Sequence, residues 1–346
     1  VALPPLIILA ALVAYRVIVV RPLGSAVVLP RNTPAVIAPR FAEARIVTDE
    51  QLAAVLERVK PPASPVNTNN FVHALRLWGA DADFGDAKFP TGKQLRDYFL
   101  DDSTFRHFAG EETPPLFYRG RDGIEVRSFD DSLHDRLTSS FHSDDLIATL
   151  AETGTPLDAP LKLRDGTATV SDLLTTSLRR FHLEQFEYEW TAITCARYVF
   201  PERQWRNKFG DKINVDALVK EILSHPPQLG PCNGLHRLEA LAVLLRADDE
   251  FNALAPRTKL NILLYMKRVS TALVEAQTAE GYWNREWPSG AAAAVPSVTN
   301  VPTLHDKLLV TGHHLEWLAL APEDVQPPRE TAVRAAQWLD RKSTRL

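Results

Sequence analysis

The stretch PCNGLHRLEALAVLLR, residues 231–246, recurs in altered form near the C-terminus. Aligned without gaps, residues 234–240 (GLHRLEA) fall on residues 311–317 (TGHHLEW), so that histidine meets histidine and glutamate meets glutamate. The unit is long enough for a helix and repeats the same polar residues on one face. The recurrence predicts helical hairpins that stack or are arranged in a circle.

Two weaker copies extend the pattern toward the N-terminus. Residues 186–193 (FEYEWTAI) align with residues 313–320 (HHLEWLAL), and residues 71–78 (FVHALRLW) form a fourth version. In the fourth version, Arg76 stands in place of the glutamate. We therefore expect four related helices around a shared axis, with their imidazole and carboxyl groups turned inward.

The chain of 346 residues is long enough for one helical domain of about 280 residues and an N-terminal appendage. Its formal charge is -4 at pH 7, and no run of Lys and Arg alternates with aromatic residues. We therefore do not expect nucleic acid as a partner. The cysteines, Cys195 and Cys232, provide at most one disulfide and form no CxxC zinc motif.

Residues 1–22 include the most apolar stretch of the chain, VALPPLIILAALVAYRVIVV, interrupted only by Arg16. About 20 apolar residues span a bilayer, and an arginine near the end of such a helix reaches the headgroups. A transmembrane signal-anchor is the first interpretation, a cleaved signal peptide the second and a buried strand-rich start the third. The first implies a membrane-anchored protein whose bulk lies outside the cytoplasm, in the periplasm or the extracellular space.

A Pro-rich linker, residues 23–47, precedes a helical body that we place at residues 48–346. Within this body, TDEQ (48–51) and TGKQ (91–94) are capping boxes that begin helices. Asp-Gly turns predict small β-hairpin insertions near 114–129 and 160–170. Further helices, separated by prolines, are expected at 171–200, 215–225, 233–247, 256–278, 304–320 and 330–342. The expected class is all-α.

Residues 273–283, LVEAQTAEGYW, resemble the repeat of the terpenoid cyclase and protein prenyltransferase superfamily. In that repeat a helix ends in Gln and is followed by an acidic-Gly turn and a Trp; Gln277, Glu280-Gly281 and Trp283 stand in those places. Gly281 suits a left-handed helix end, the Gln277 amide can cap the turn, and Trp283 can pack on the next helix. The resemblance covers about residues 171–342 and implies an α/α toroid, with inner and outer helices around a central cavity.

The motifs that carry chemistry in that superfamily are missing from this chain. Squalene-type cyclases have a protonating Asp-x-Asp-Asp motif, whereas FDDS (129–132) and SDD (143–145) lack the leading Asp. The Asp/Cys/His zinc set of protein prenyltransferases has no recognisable counterpart either. The resemblance therefore implies a fold, and terpene cyclisation would rest on the fold alone.

Two His–Glu pairs have the spacing of three that places both side chains on one helix face. These pairs are His236–Glu239 and His313–Glu316. On the inner ring of a toroid they would point into one cavity together with Glu189 and His73. Such a group can act as acid and base, or it can hydrogen-bond internally and hold the ring together. We rank the structural role first and assign no metal ligand, because no single helix carries a full ligand set.

Aromatic residues follow two of the repeated glutamates and the turn after the long helix. Trp190, Trp283 and Trp317 can line a cavity for a small hydrophobic or sugar-like ligand, although each also suits ordinary core packing. Cys232, four residues before His236, is either an activated thiolate near a helix start or a buried structural thiol. We favour the structural thiol.

Three functional hypotheses result. The first is a membrane-anchored α/α-toroid protein whose His/Glu/Trp-lined cavity binds a ligand or a segment of a partner, with catalysis left open. The second is a non-catalytic scaffold that binds another protein of the envelope. The third is an isoprenoid- or carbohydrate-active enzyme. A cavity lined by these residues favours the first hypothesis, whereas a filled centre with mutual hydrogen bonds favours the second.

Overall fold

The computed structural model describes residues 27–40, 46–64, 66–128, 137–140, 144–185, 187–295 and 301–343. In these ranges thirteen α-helices carry most of the secondary structure, and six short strands pair into three antiparallel hairpins. The all-α class is therefore confirmed for the described part of the chain. The finer expectation of an α/α toroid stays a prediction.

The helices of the N-terminal half are short. They are α1 (Asp49–Arg58), α2 (Thr68–Trp78), α3 (Gly92–Leu100), α4 (Asp102–Ala109), α5 (Asp145–Glu152) and α6 (Val170–Arg180). The two predicted capping boxes begin α1 and α3, because Thr48 and Thr91 each accept a hydrogen bond from the backbone three residues on, and Gln51 and Gln94 reach back.

The C-terminal half has helices of very different lengths, from 4 to 21 residues. They are α7 (Tyr188–Thr194), α8 (Val215–Ser224), α9 (Leu235–Phe251), α10 (Pro256–Ala276), α11 (Ala291–Ala294), α12 (Leu304–Leu320) and α13 (Arg329–Ser343). The bounds of α12 are those expected from the sequence. A capping box of Thr303 and Asp306 begins this helix.

One long helix was expected at 171–200, and this prediction is wrong. The helix α6 ends at Arg180, and α7 begins only at Tyr188 before it continues into a π-helical turn, Cys195–Val199. A turn closed by the backbone of His182 and Gln185, followed by a left-handed Glu187 (φ 59°), reverses the chain between them. The apolar spacing continues across this break, so periodicity alone does not reveal it.

The strands form small hairpins on the helical body. They are β1 (Phe117–Arg119) with β2 (Ile124–Val126), β3 (Pro160–Leu163) with β4 (Gly166–Thr169), and β5 (Gln204–Arg206) with β6 (Lys212–Asn214). The first two confirm the hairpins expected from the Asp-Gly turns. The third was not predicted, because its turn, NKFGD (207–211), contains no Asp-Gly pair.

The helix α9 lies at the centre of the core. Of its 17 residues, 13 are buried, and it packs against α7 on one side and α12 on the other. A helix that is buried on nearly all faces needs partners for its polar side chains. His236, Arg237, Glu239 and Asp248 are the buried polar residues of α9 that need such partners.

The Gln–Gly–Trp element has the local structure expected of it. Gln277 Nε2 donates to the carbonyls of Gly281 and Thr331, at 2.9 and 2.8 Å. Gly281 has φ 109°, and a Cβ there would lie 2.7 Å from the carbonyl oxygen of Arg334. Trp283 is fully buried and its backbone N–H donates to Thr311 on α12. The turn therefore ties α10 to α12 and α13.

The expected transmembrane or signal segment, residues 1–22, lies outside the described residues. Among the helices that are described, none combines the length and the apolar character needed to cross a bilayer.

Candidate metal centre

The four related stretches meet around Arg76. The Arg76 guanidinium on α2 lies 2.6 Å from Glu152 Oε2 on α5, 2.7 Å from Glu239 Oε1 on α9 and 3.4 Å from Glu316 Oε1 on α12. It also lies over the ring of Trp190 on α7, 5.0 Å from the centroid. The arginine that stands in place of the repeated glutamate is thus the counter-ion of the glutamates in two of the other three copies, Glu239 and Glu316.

Beside this network, three side chains form a donor cluster, which consists of Cys232, His236 and His313. One ligand atom from each lies within 4.8 Å of the others, and the two imidazole rings are 5.2 Å apart. Tetrahedral zinc with sulfur and nitrogen ligands requires donor separations of roughly 3.3–3.7 Å. The donor separations, up to 4.8 Å, are therefore at most about 1 Å wider than those of a tetrahedral zinc site.

A strained turn places the cysteine in the donor cluster. Cys232, Asn233 and Gly234 have φ values of 47°, 58° and 74°, so three consecutive residues are left-handed immediately before α9. A Cβ on Gly234 would lie 1.9 Å from the carbonyl oxygen of Pro227, so only glycine fits. Left-handed non-glycine residues cost roughly 1 kcal/mol or more each and concentrate at functional sites. The turn points the thiol toward the first turn of α9, where His236 lies.

His313 is held from its other side by a carboxylate. Its Nδ1 atom lies 2.9 Å from Glu316 Oε2, one turn along α12. Burial would lower the pKa of His313, but hydrogen bonds to Cys232 and Glu316 and the charge of Glu316 raise it to about 10. Without a metal ion this imidazole is therefore protonated at neutral pH. Since a metal ligand must be neutral, metal binding at His313 displaces a proton.

Two of the three glutamates that contact Arg76 have pKa values that are shifted in opposite directions. Burial and the nearby charge of Glu316 raise the pKa of Glu239, with Arg76 opposing. Burial also acts against ionisation of Glu316, but the hydrogen bond from His313 and the charge of Arg76 lower its pKa. Glu316, whose side chain is 39% exposed, therefore carries the negative charge next to the donor cluster.

The neighbouring histidine has a different environment. His314 is fully buried in an aromatic pocket, which consists of Trp283, Trp287 and Trp317. Trp317 Nε1 donates to His314 Nδ1 at 3.0 Å. Burial, with the charge of His313 adding to it, lowers the pKa of His314 well below 6.5, so this ring is neutral.

The other residues singled out in the sequence are distributed as follows. Trp190 packs on the ring of His236, with centroids 4.6 Å apart. Glu189 is buried and forms an ion pair with Arg237 at 2.7 Å. His73 is exposed and bonds through Nδ1 to the carbonyl of Asn69, so the structure does not bring it to the donor cluster.

The favoured interpretation of Cys232 as a buried structural thiol requires correction. Cys232 is only half-buried and lies beside two histidines, whereas Cys195 is the fully buried thiol, with a pKa raised by burial. In the sequence, Cys232 stands four residues before His236. His236 lies on α9, which packs against α12, the helix that carries His313. We missed its importance because the third donor comes from a distant part of the chain.

Comparison of the chain with protein-family models, with curated proteins and with solved structures finds no match in any of the three. The resemblance of residues 273–283 to the terpenoid cyclase repeat therefore stays a prediction.

Proposed function

We propose that this protein binds a divalent transition-metal ion of the zinc class through Cys232, His236 and His313. The observation that carries the proposal is that one sulfur and two imidazole donors, from the turn before α9, from α9 and from α12, lie within 4.8 Å of one another. The ligand that was expected at the centre of the four related stretches is, in this proposal, a metal ion.

The chemistry of the donors selects the kind of metal. Thiolate and imidazole ligands suit zinc and other borderline transition metals, whereas magnesium and calcium require oxygen ligands. Three protein ligands leave one coordination position for water or a substrate, as in catalytic zinc sites. A metal ion held in this way supplies Lewis-acid activation of that water.

The surroundings of His313 fit this role. A metal-binding histidine usually hydrogen-bonds a carboxylate through its second ring nitrogen, which fixes the orientation of the ring. Glu316 is in that position at His313 Nδ1, which leaves Nε2 for the metal. Arg76 contacts both Glu316 and Glu239, and its contact with Glu316 helps to fix the carboxylate that hydrogen-bonds His313.

Calorimetric titration of the metal-free protein with Zn²⁺ tests the proposal. We expect one equivalent to bind per chain. Cys232→Ser should weaken binding by about 100-fold or more, since a side chain that binds the metal directly contributes more than the 10–100-fold of a residue that only hydrogen-bonds a ligand. Cys195→Ser is the matched control because it removes the other thiol, which lies in the apolar core. Equal affinities of the two variants would contradict the proposal.

A non-catalytic scaffold is the second candidate, because the space between the related helices is filled by ion pairs. Arg76 with its three glutamates and the buried Arg237–Glu189 pair link five helices. Glu239→Gln and Glu316→Gln distinguish the two candidates. The metal proposal requires Glu316→Gln to reduce Zn²⁺ affinity by about 10–100-fold. Loss of stability in both variants, without any change in metal binding, supports the scaffold.

The finer architectural expectations remain proposals. The convergence of the four related stretches on Arg76 supports their arrangement about a shared axis, as in an α/α toroid. Attachment to a membrane through residues 1–22, a location outside the cytoplasm and an envelope protein as partner rest on the sequence alone. An isoprenoid- or carbohydrate-active enzyme is kept as a minor alternative.

A further inference from the structure

A cleft of about 480 Å³ lies between the β1–β2 hairpin, α6 and the turn that follows α6. Its volume is within the range of about 300–1,000 Å³ found for small-molecule sites. Most of its lining side chains carry hydroxyl, carboxyl, amide or other polar groups, and it shares no lining residue with the donor cluster. The cleft is therefore a separate candidate binding site.

A buried carboxyl group lies in the lining of this cleft. Asp144 is 5% exposed and precedes α5. Ser177 on α6 donates to its Oδ1 at 2.7 Å, and the hydroxyl of Thr191 on α7 donates to its Oδ2. Gln185 donates in turn to Thr191 Oγ1 at 3.3 Å. Three polar side chains from separate segments thus fix one acid in a single orientation.

The charges of the cleft exclude some classes of ligand. Among the lining residues that the structure describes, the guanidinium of Arg180 is paired with Glu125 at 2.8 Å, and Asp144 adds a second acidic group, so this part of the lining does not favour an anion. Burial raises the pKa of Asp144, which disfavours the ionised form that a strong cation would need. A purely apolar ligand could form no hydrogen bond with the hydroxyl, amide and carboxyl groups of the lining and would shield them from solvent.

A neutral ligand with many hydroxyl groups needs neither a free cation nor an ionised acid, and it can form hydrogen bonds with the polar groups of the lining. Each hydroxyl both donates and accepts, which matches the mixture of hydroxyl, amide and carboxyl groups in the lining. Ile124, Val126 and Leu173 provide an apolar strip for the C–H faces of such a ligand. We propose that this cleft binds a neutral polyhydroxylated molecule of the saccharide class, with Asp144, Ser177 and Gln185 as its polar contacts.

Titration of the full chain with a panel of neutral mono- and disaccharides, followed by ligand-observed NMR and calorimetry, tests the proposal. We expect saturable binding of at least one saccharide with a dissociation constant below about 10 mM, or roughly -3 kcal/mol. Ser177→Ala and Gln185→Ala should weaken binding by about tenfold each, as expected for one lost hydrogen bond. Ser171→Ala, on the same helix but outside the cleft, should leave it unchanged.

Further variants keep the experiment decisive. Tyr118→Ala alters the exposed wall of the cleft without touching the buried acid, so it tests the site even where Ser177→Ala unfolds the chain. Cys232→Ser should bind the saccharide as the unaltered chain does, because the two sites are separate. The proposal is overturned by the absence of saturable saccharide binding, by tighter binding of a sugar phosphate than of its neutral parent, or by insensitivity to all three cleft variants.

Discussion

The two sides of α12 show how one helix serves two purposes. His313 faces a charged donor cluster, where Glu316 and Cys232 raise its pKa to about 10. His314, about 100° further around the helix, faces an aromatic pocket that lowers its pKa well below 6.5. Histidine is thus a cation on one side of the helix and a neutral packing group on the other. The environment that packing creates, rather than the residue type, therefore determines where metal binding is possible.

The aromatic pocket should control stability, and Trp283→Ala should show the largest effect. Trp283 is fully buried, and its indole Nε1 donates to the carbonyl of Leu273 at 2.8 Å. We expect a loss of about 3–5 kcal/mol in the free energy of unfolding, measured by urea denaturation. The fraction that remains folded should keep the Zn²⁺ affinity of the unaltered chain. A loss below about 1 kcal/mol would show that this ring is not part of the core.

The donor cluster should control metal affinity instead. His313→Ala should weaken Zn²⁺ binding by about 100-fold or more, roughly 2.7 kcal/mol, because it removes a ligand. His314→Phe is the matched control at the adjacent position and should leave the affinity within about threefold. Calorimetry on both variants tests the contrast, and a larger loss in His314→Phe than in His313→Ala would reverse our assignment of the two sides.

The pH dependence of stability in the metal-free protein should separate the two histidines. The pKa of His313 is raised, so its contribution is complete below the unfolded value of about 6.5 and is lost as the pH rises toward about 10. The pKa of His314 is lowered, so its contribution is complete above about 6.5 and is lost as the pH falls below that value.

Each histidine changes the number of protons released or taken up on unfolding by at most one, so it changes the slope of the unfolding free energy against pH by at most about 1.4 kcal/mol per pH unit. Urea denaturation between pH 5 and pH 10 should show His313→Gln with a reduced alkaline slope and His314→Phe with a reduced acid slope. If either variant alters the slope on the opposite side, the environments assigned to these rings are incorrect.

The smallest effect concerns the turn that carries Cys232. Asn233 has φ 58°, a conformation that glycine adopts without steric cost. Asn233→Gly should therefore change the free energy of unfolding by less than about 1 kcal/mol, with relief of strain opposing the added chain entropy of glycine. Zn²⁺ affinity should be retained within about threefold. A large loss of affinity would show that the Asn233 side chain itself supports the donor cluster.

Local signals in the sequence were sufficient for many helices of the fold. The bounds of α12 and the capping boxes of α1 and α3 depend on residues within a few positions of each other, so they could be read directly. The break between α6 and α7 could not, because it depends on a left-handed Glu187 inside a stretch of continuous apolar spacing. The β5–β6 hairpin was not predicted either, because its turn has no Asp-Gly pair.

The candidate site was predictable only in part. The repeated spacing identified His236, Glu239, His313 and Glu316. In the structure the two glutamates meet at Arg76, and the two histidines contact each other in the donor cluster. The sequence did not show which side chains from distant segments contact each other. Glu189 was placed with the same group, yet its partner is Arg237 on the opposite side of α9. Cys232 was undervalued for the same reason, since its significance depends on His313, which lies on another helix.

Cobalt substitution tests the central claim most directly, because Co²⁺ occupies zinc sites and reports its ligands through its visible spectrum. Added to the metal-free protein, one equivalent of Co²⁺ should produce absorption typical of tetrahedral coordination together with a sulfur-to-metal charge-transfer band. Cys232→Ser should lose the charge-transfer band, and Cys195→Ser should keep it. A spectrum of octahedral, sulfur-free cobalt in the unaltered chain would contradict the account.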